Sequence, residues 1–237
     1  MGQGRKHTRA RRHGRTEKSR VIRNICFHGI GTCVREREEG EARYWVRESH
    51  FLRILDEIAG RDDVRVSFDD GNVSDVALAL PAMQERGIRG TFFALAGRLQ
   101  DSSSLSPSDL RLLRSAGMQI GSHGWEHIPW RGMSNDDARR ELVDARAVLS
   151  EASGERVVEA AMPLGRYDRL LVQRLKGAGY STVYSSDRFP ARAGSWFQAR
   201  YSVTADDSRE SIRALLTRKP GLQDGCRVMK SAIKRVR

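Results

Sequence analysis

The chain has 237 residues, 39% hydrophobic and 30% charged, with a net charge of +12. That length suits one mid-sized domain with a sizeable core, and the periodic apolar segments exclude disorder throughout. No apolar run approaches the ~18 residues of a membrane span, and three cysteines are too few for a disulfide framework.

The positive charge begins at once. Residues 1–23 hold nine Lys or Arg against Glu17, so 1–20 reads as a basic, disordered tail. Such a tail can bind nucleic acid or an acidic surface through phosphate contacts and counterion release. No aromatic residue interleaves it, so nothing there offers a base-stacking platform, and a solvated extension is the plainer expectation. No apolar stretch follows its charges as in a secretory signal, so the sequence points to a cytoplasmic chain with reduced thiols.

From Val21 the pattern changes. Val21–Phe27 is apolar at Val21, Ile22, Ile25, Cys26 and Phe27 and runs into His28-Gly29-Ile30-Gly31, as a buried strand ending in a Gly-rich loop does. Residues 33–44 are polar and acidic and read as a surface loop. Phe51, Leu52, Ile54, Leu55 and Ile58 recur at helical spacing, with Gly60 as the stop. Val64, Val66 and Phe68 alternate with Arg65 and Ser67 as a strand that delivers Asp69-Asp70-Gly71. A helix over 74–86, a strand at Thr91–Leu95 and a helix over 105–116, opened by Ser106-Pro107, follow. A strand at Met118–Gly121 then delivers Ser122-His123. Ser134 caps a long helix over 135–152, with Asp136 and Asp137 where the helix dipole favours them. A strand at Val157–Met162 ends in Pro163-Leu164-Gly165, a helix covers 167–178, and a strand at Tyr180–Tyr184 reaches Asp187. The spacing closes with a strand at Ser195–Val203 and a helix over 208–218. Residues 224–237, with five Lys or Arg against Asp224, read as a second basic tail, leaving 21–223 as the folded domain.

Strands alternating with helices at this spacing predict an α/β fold with a parallel sheet or barrel. Polar chemistry in such folds gathers at the carboxyl ends of strands. Here those ends carry His28, Asp69-Asp70, His123, Pro163-Leu164-Gly165 and Asp187. The Gly-Ile-Gly after His28 lacks the third glycine of a dinucleotide fingerprint.

His123-Gly124-Trp125-Glu126-His127 sets two imidazoles four residues apart, within reach of one divalent cation. Alone, the pair reads as well as two solvated histidines. Asp69-Asp70 adds weight, because adjacent carboxylates are costly to bury without a partner, although a helix-capping turn would also use them. A cation that binds one of them leaves the other free as a base. Two His and one Asp leave an open position for water, and the set suits Zn2+ while admitting Co2+, Ni2+ or Mn2+.

Ser67-Phe68-Asp69-Asp70-Gly71 resembles the first motif of the polysaccharide deacetylase (NodB-homology) family. Ser122 to His127 resembles its His-Ser/Thr-x-x-His motif, with Gly124 in place of Ser or Thr. The resemblance covers roughly residues 21–205. It implies a distorted (β/α) barrel and metal-dependent hydrolysis of acetyl groups from an N- or O-acetylated carbohydrate. It further implies Asp69 as catalytic base and Asp70, His123 and His127 as metal ligands. The third motif matches at Pro163 and Gly165, which makes the Leu164 backbone N–H the oxyanion donor. Ala161 stands where an Arg usually orients the base, and Arg166 is a candidate substitute from the other side of the turn. Asp187 falls near the acid-tuning Asp of the fourth motif. No His follows His127, so the C-terminal Leu-x-His motif is missing. Cys26-Phe27-His28-Gly29 resembles the Tyr/Phe-His motif of permuted branches, which makes His28 the expected general acid. Two rivals keep this scaffold: a hydrolase of small non-sugar amides, and a catalytically weak carbohydrate- or nucleic-acid-binding protein. Tyr44, Trp125, Trp130, Tyr167 and Trp196 are candidate faces for a sugar, though core packing is the commoner fate of such residues.

Overall fold

The computed structural model describes residues 19–237. β1 (Val21–Phe27) leads through the short pair β2 (Gly29–Ile30) and β3 (Trp45–Val46) into α1 (Glu48–Ile58). β4 (Val64–Phe68) is followed by a π-turn at Asp75–Ala79 and α2 (Leu80–Glu85), then β5 (Gly90–Ala94). α3 (Pro107–Ser115) opens with Ser106 and Asp109 capping each other's backbone, and β6 (Gln119–Ser122) follows. Ser134 caps α4 (Asn135–Arg139) as expected, and a π-turn at Arg140–Asp144 joins it to α5 (Ala145–Ser153). The chain continues through β7 (Glu159–Ala161), α6 (Arg169–Gly177), β8 (Thr182–Ser185), β9 (Ala191–Arg192) and β10 (Phe197–Ser202). Two helices end the fold, α7 (Arg209–Thr217) and α8 (Leu222–Val236).

Seven parallel strands close into a barrel in the order β10-β8-β7-β6-β5-β4-β1, with β1 returning to β10. The antiparallel β9 adds to β1 at its amino end, where Val21 faces Arg192. Alternation along each strand explains both surfaces of this barrel. Ile25, Phe27, Val66, Phe68 and Phe92 turn outward and are buried against α1 and its neighbours. Their rings stack in sequence, Phe27 on Phe68 at 5.5 Å and Phe68 on Phe92 at 4.6 Å. The opposite parity carries Asn24, Ser67, Gln198 and Arg200, all buried. Several of these polar groups pair inside the barrel: Asn24 Nδ2 donates to Gln198 Oε1 at 3.0 Å and to the Ala199 carbonyl at 2.9 Å.

Three segments differ from expectation. The strand expected over 157–162 pairs only at Glu159–Ala161, because the Val157 N–H leaves the ladder for Ser150 Oγ at 3.0 Å. Residues 33–44 lie at the surface as expected, none of them buried, but they fold back over the carboxyl ends of the strands and end in a 3₁₀ turn at Glu41–Tyr44. The basic segment 224–237 is the greater part of α8. It is seated by Arg218, whose guanidinium grips buried Asp224 with two bonds of 2.6 Å, and by Tyr167, whose hydroxyl oxygen accepts from Ser231 Oγ at 2.7 Å. The charge of that segment hid a helical period. Of the tail expected at 1–20, residues 1–18 lie outside the described residues. Among the described residues no helix is long and apolar enough to cross a membrane.

Candidate metal centre and catalytic pocket

A pocket of about 270 Å³ opens at the carboxyl ends of the strands and takes in all six site residues expected from the sequence: His28, Asp69, Asp70, His123, His127 and Leu164. β1 delivers His28, β4 delivers Asp69 and Asp70, and β6 delivers His123. Parallel strands in register carry these groups to one level, as barrels of this kind do.

Asp70 Oδ1 is the centre of the arrangement. It lies 3.5 Å from His123 Nε2 and 3.5 Å from His127 Nε2, and it has no hydrogen-bond partner although buried. Donors bound at about 2.1 Å around a tetrahedral cation sit roughly 3.4 Å apart. The three atoms therefore fit a Zn2+-sized ion, and the orphaned carboxylate oxygen is the atom such an ion would satisfy.

Both imidazoles are set for that task by their other nitrogen. His123 Nδ1 donates to the Ala161 carbonyl at 2.8 Å, and His127 Nδ1 donates to Glu38 Oε1 at 2.6 Å. Each bond fixes the proton on Nδ1 and leaves the Nε2 lone pair facing Asp70. Burial pushes the His123 imidazole down to about 4, so it is a neutral donor at pH 7. Glu38 also takes a bond from Arg98 at 3.2 Å, which ties the acidic 33–44 segment to the site. Sequence reasoning missed Glu38, because one acid among Glu36, Glu38, Glu39 and Glu41 carries no distinguishing signal.

Asp69 is held differently. Arg200 Nη1 donates to its Oδ1 at 2.7 Å and Nη2 to its Oδ2 at 2.6 Å, and both side chains are buried. Burial alone would raise the Asp69 carboxyl, but the Arg200 guanidinium, followed by His123, holds it well below the usual carboxylate range. Oδ2 is also 3.9 Å from His123 Nε2, so a carboxylate oxygen faces the pocket. Arg200 comes from β10, stacks on Phe93 and Tyr184, and takes the orienting place that the sequence offered to Arg166. Arg166 is an exposed residue of the pocket rim. A signal for Arg200 existed: an arginine inside the strand Phe197-Gln198-Ala199-Arg200-Tyr201 of a closed barrel needs a buried anion.

His28 lies beside Asp69, with its ring 4.7 Å from Tyr44 and a buried Nδ1 that has no partner. Cys26, His28 and Asp69 each place a ligand-type atom within 4.8 Å of the others. Asp187 does not reach the pocket. It accepts from Tyr167 at 2.6 Å, Ser185 at 2.7 Å and Lys234 at 2.9 Å, and so it fastens α8 to the barrel. Of the aromatic candidates only Tyr44 lines the pocket, while Trp130 is fully buried in the core.

Backbone strain gathers here. Asp70 at φ 73°, His127 at φ 61° and Leu164 at φ 56° are three of the four described non-glycine residues in the left-handed region. Each such residue costs roughly 1–2 kcal/mol, and strain of this kind persists only where its surroundings enforce it. Gly124, between the histidines, has φ 91°, and a Cβ there would run into Glu141 Oε2. Glu141 comes from the π-turn between α4 and α5, is buried, and accepts from the Trp125 N–H at 2.7 Å and Trp130 Nε1 at 3.2 Å. Burial, then Asp70 and Asp69, push the buried Asp75 carboxyl well above the usual range, so it adds no charge beneath the site.

A family model described as polysaccharide deacetylase matches residues 57–183. YxkH of Bacillus subtilis (strain 168), a protein named for polysaccharide deacetylation, is 21% identical over 180 residues, covering 70% of this chain and 64% of that protein. The peptidoglycan-N-acetylmuramic acid deacetylase PdaC of the same strain is 25% identical over 114 residues, covering 48% of this chain and 24% of that protein. The chain thus spans 64% and 24% of the lengths of these curated relatives. Among solved structures, the Streptococcus pyogenes deacetylase PplD in complex with acetate superposes with a TM-score of 0.74 at 19% identity, over 85% of this chain and 100% of that one. IcaB from Ammonifex degensii superposes with a TM-score of 0.67 at 21% identity, over 84% and 97%. At such identities the likeness is one of fold, a closed parallel barrel wrapped by helices.

Proposed function

We propose, from the premise that the chain belongs to the polysaccharide deacetylase family, that it is a metal-dependent hydrolase releasing acetate from an N- or O-acetylated carbohydrate. The observation that carries this reading is the convergence of two imidazole Nε2 atoms on the unpartnered Asp70 Oδ1. Asp70, His123 and His127 would hold a divalent cation, Zn2+ by the donor set. When bound, such an ion polarises an acyl carbonyl and acidifies water.

The remaining chemistry belongs to side chains and backbone of this chain. Asp69, ionised by Arg200, takes the proton of the attacking water through the oxygen turned to the pocket. The Leu164 N–H donates to the oxyanion of the tetrahedral intermediate. His28 gives a proton to the departing amine or alcohol, the role left open by the missing C-terminal histidine. The name of PdaC supports an amino sugar of the peptidoglycan type as one substrate class to assay first.

The test is the metal content of the purified chain and acetate release from acetylated chitooligosaccharides, each compared with a His123→Ala/His127→Ala variant. About one metal per chain and acetate release, both lost in the variant, are expected. Metal with turnover of simple amides alone would favour the non-sugar amidase. Glycan binding without acetate, surviving Asp69→Asn, would favour the catalytically weak binding protein.

Two further results are expected. His28→Ala lowers kcat about 100-fold at unchanged metal content, and unchanged turnover would remove the acid role. Glu38→Gln weakens Zn2+ binding about 10- to 100-fold, read by competition with a chromogenic chelator; equal affinity would make the Glu38 contact incidental.

A further inference from the structure

Helix α8 is seated by its polar side. Its buried residues are Asp224, gripped by Arg218, and Ser231, bonded to Tyr167. Its apolar residues face water: Leu222 is 92% exposed, Met229 59%, Ile233 51% and Val236 70%, and Cys226 is exposed too. The steps 222, 226, 229, 233 and 236 alternate between four and three residues, so these side chains form one stripe opposite Asp224 and Ser231. A helix of 15 residues makes that stripe about 20 Å long. Surface helices of soluble domains bury such a stripe, and one left in water marks a surface that something else covers.

The charges around the stripe select the occupant. After the buried Asp224, α8 and its last residue hold no acid, only Arg227, Lys230, Lys234, Arg235 and Arg237. Lys230 and Arg237 lie beside the stripe itself. A second copy of this helix would set these cations against each other, at a cost in like-charge repulsion. An anionic bilayer accepts both features, since its interface takes the apolar side chains and its headgroups take the cations. The net charge of +12 acts in the same direction. At 15 residues the helix is too short to span a bilayer and can only lie along its surface.

We propose that α8 is an in-plane anchor that docks the protein on a membrane rich in anionic lipid. The anchor is tied to the catalytic end of the barrel, because Lys234 holds Asp187, just beyond the carboxyl end of β8.

The experiment is flotation of the full chain with vesicles of phosphatidylcholine alone and of equal parts phosphatidylcholine and phosphatidylglycerol. Flotation with the mixed vesicles only, weakened by salt, is expected. Met229→Glu/Ile233→Glu and the milder Met229→Ser/Ile233→Ser should each lower the floated fraction, the first about tenfold or more, with thermal stability and acetate release unchanged. Undiminished flotation of both variants would assign the membrane contact to the basic residues before β1 and overturn the role of α8. Absence of flotation overturns it as well. A concentration-dependent dimer in light scattering, lost in the same variants, would then identify the stripe as a self-association surface.

Discussion

Asp69→Asn is expected to lower kcat/KM for acetate release by about 10³-fold, with the metal content of the protein preserved. The amide keeps the size of the carboxylate and can still accept a bond from Arg200, but it cannot take a proton from water. The Asp69 carboxylate comes no nearer to either imidazole than 3.9 Å, from its Oδ2 to His123 Nε2, which is beyond hydrogen-bond reach, so the cation should bind as before. The decisive comparison is metal per chain beside turnover, measured on the same preparation. Turnover within tenfold of the parent would move the base to another residue, and joint loss of metal and turnover would recast Asp69 as a ligand. Because Arg200 holds Asp69 ionised, this base should set no acid limb in the neutral range of the parent's pH–rate profile.

Arg200→Met has the largest expected effect on stability. Both partners of the pair are buried, at 2% and 4% side-chain exposure, so removing the cation leaves an uncompensated carboxylate inside the barrel. Breaking such a pair costs about 3–5 kcal/mol, or a fall in Tm of roughly 10 °C for a chain of this size. The pH dependence has a definite sign. The Asp69 carboxyl is depressed in the folded state, so its contribution to stability is complete above the ordinary carboxylate range, about 4, and drains away as pH falls below it. The Tm gap between parent and variant is therefore widest at neutral pH and narrows in acid. Activity should move the other way: without Arg200, burial raises the Asp69 carboxyl, and an acid limb enters the profile from low pH upward. The double variant Asp69→Asn/Arg200→Met should lose less stability than the two single variants together, since neither charge is then stranded. Strict additivity in calorimetry would show that the two side chains do not depend on each other.

The barrel was legible because its strands and helices carry plain periods and end on glycines or caps. Ser106 and Ser134 cap where the sequence places them. The grouping of Asp70, His123 and His127 was legible too, because Asp70 and His123 follow strand ends, His127 stands four residues beyond His123, and the residue types that suit a cation are few. What stayed hidden needed spatial knowledge. Arg200 lies 131 positions from Asp69, and only closure of β10 onto β1 brings the two together. Glu38 acts through a loop fold that no local pattern encodes. The helical period of 222–236 was masked by its own charge, and its apolar residues offered no sign of facing outward. Asp187 was placed at the right strand end, yet its oxygens are spent on Tyr167, Ser185 and Lys234.

The meeting of Gly124 and Glu141 ties the choice of residue at one position to the other. A side chain at 124 and the carboxylate of Glu141 claim the same volume, and that carboxylate now supplies the bonds that hold the Trp125 and Glu126 amides. Placing Ser at 124 alone would displace Glu141, and shortening Glu141 alone would take the acceptor from two partly buried amides. A change at either position therefore presses on the other, and the two are coupled. Glycine at 124 and glutamate at 141 thus form one unit, in which the identity of the first is set by the bonding of the second.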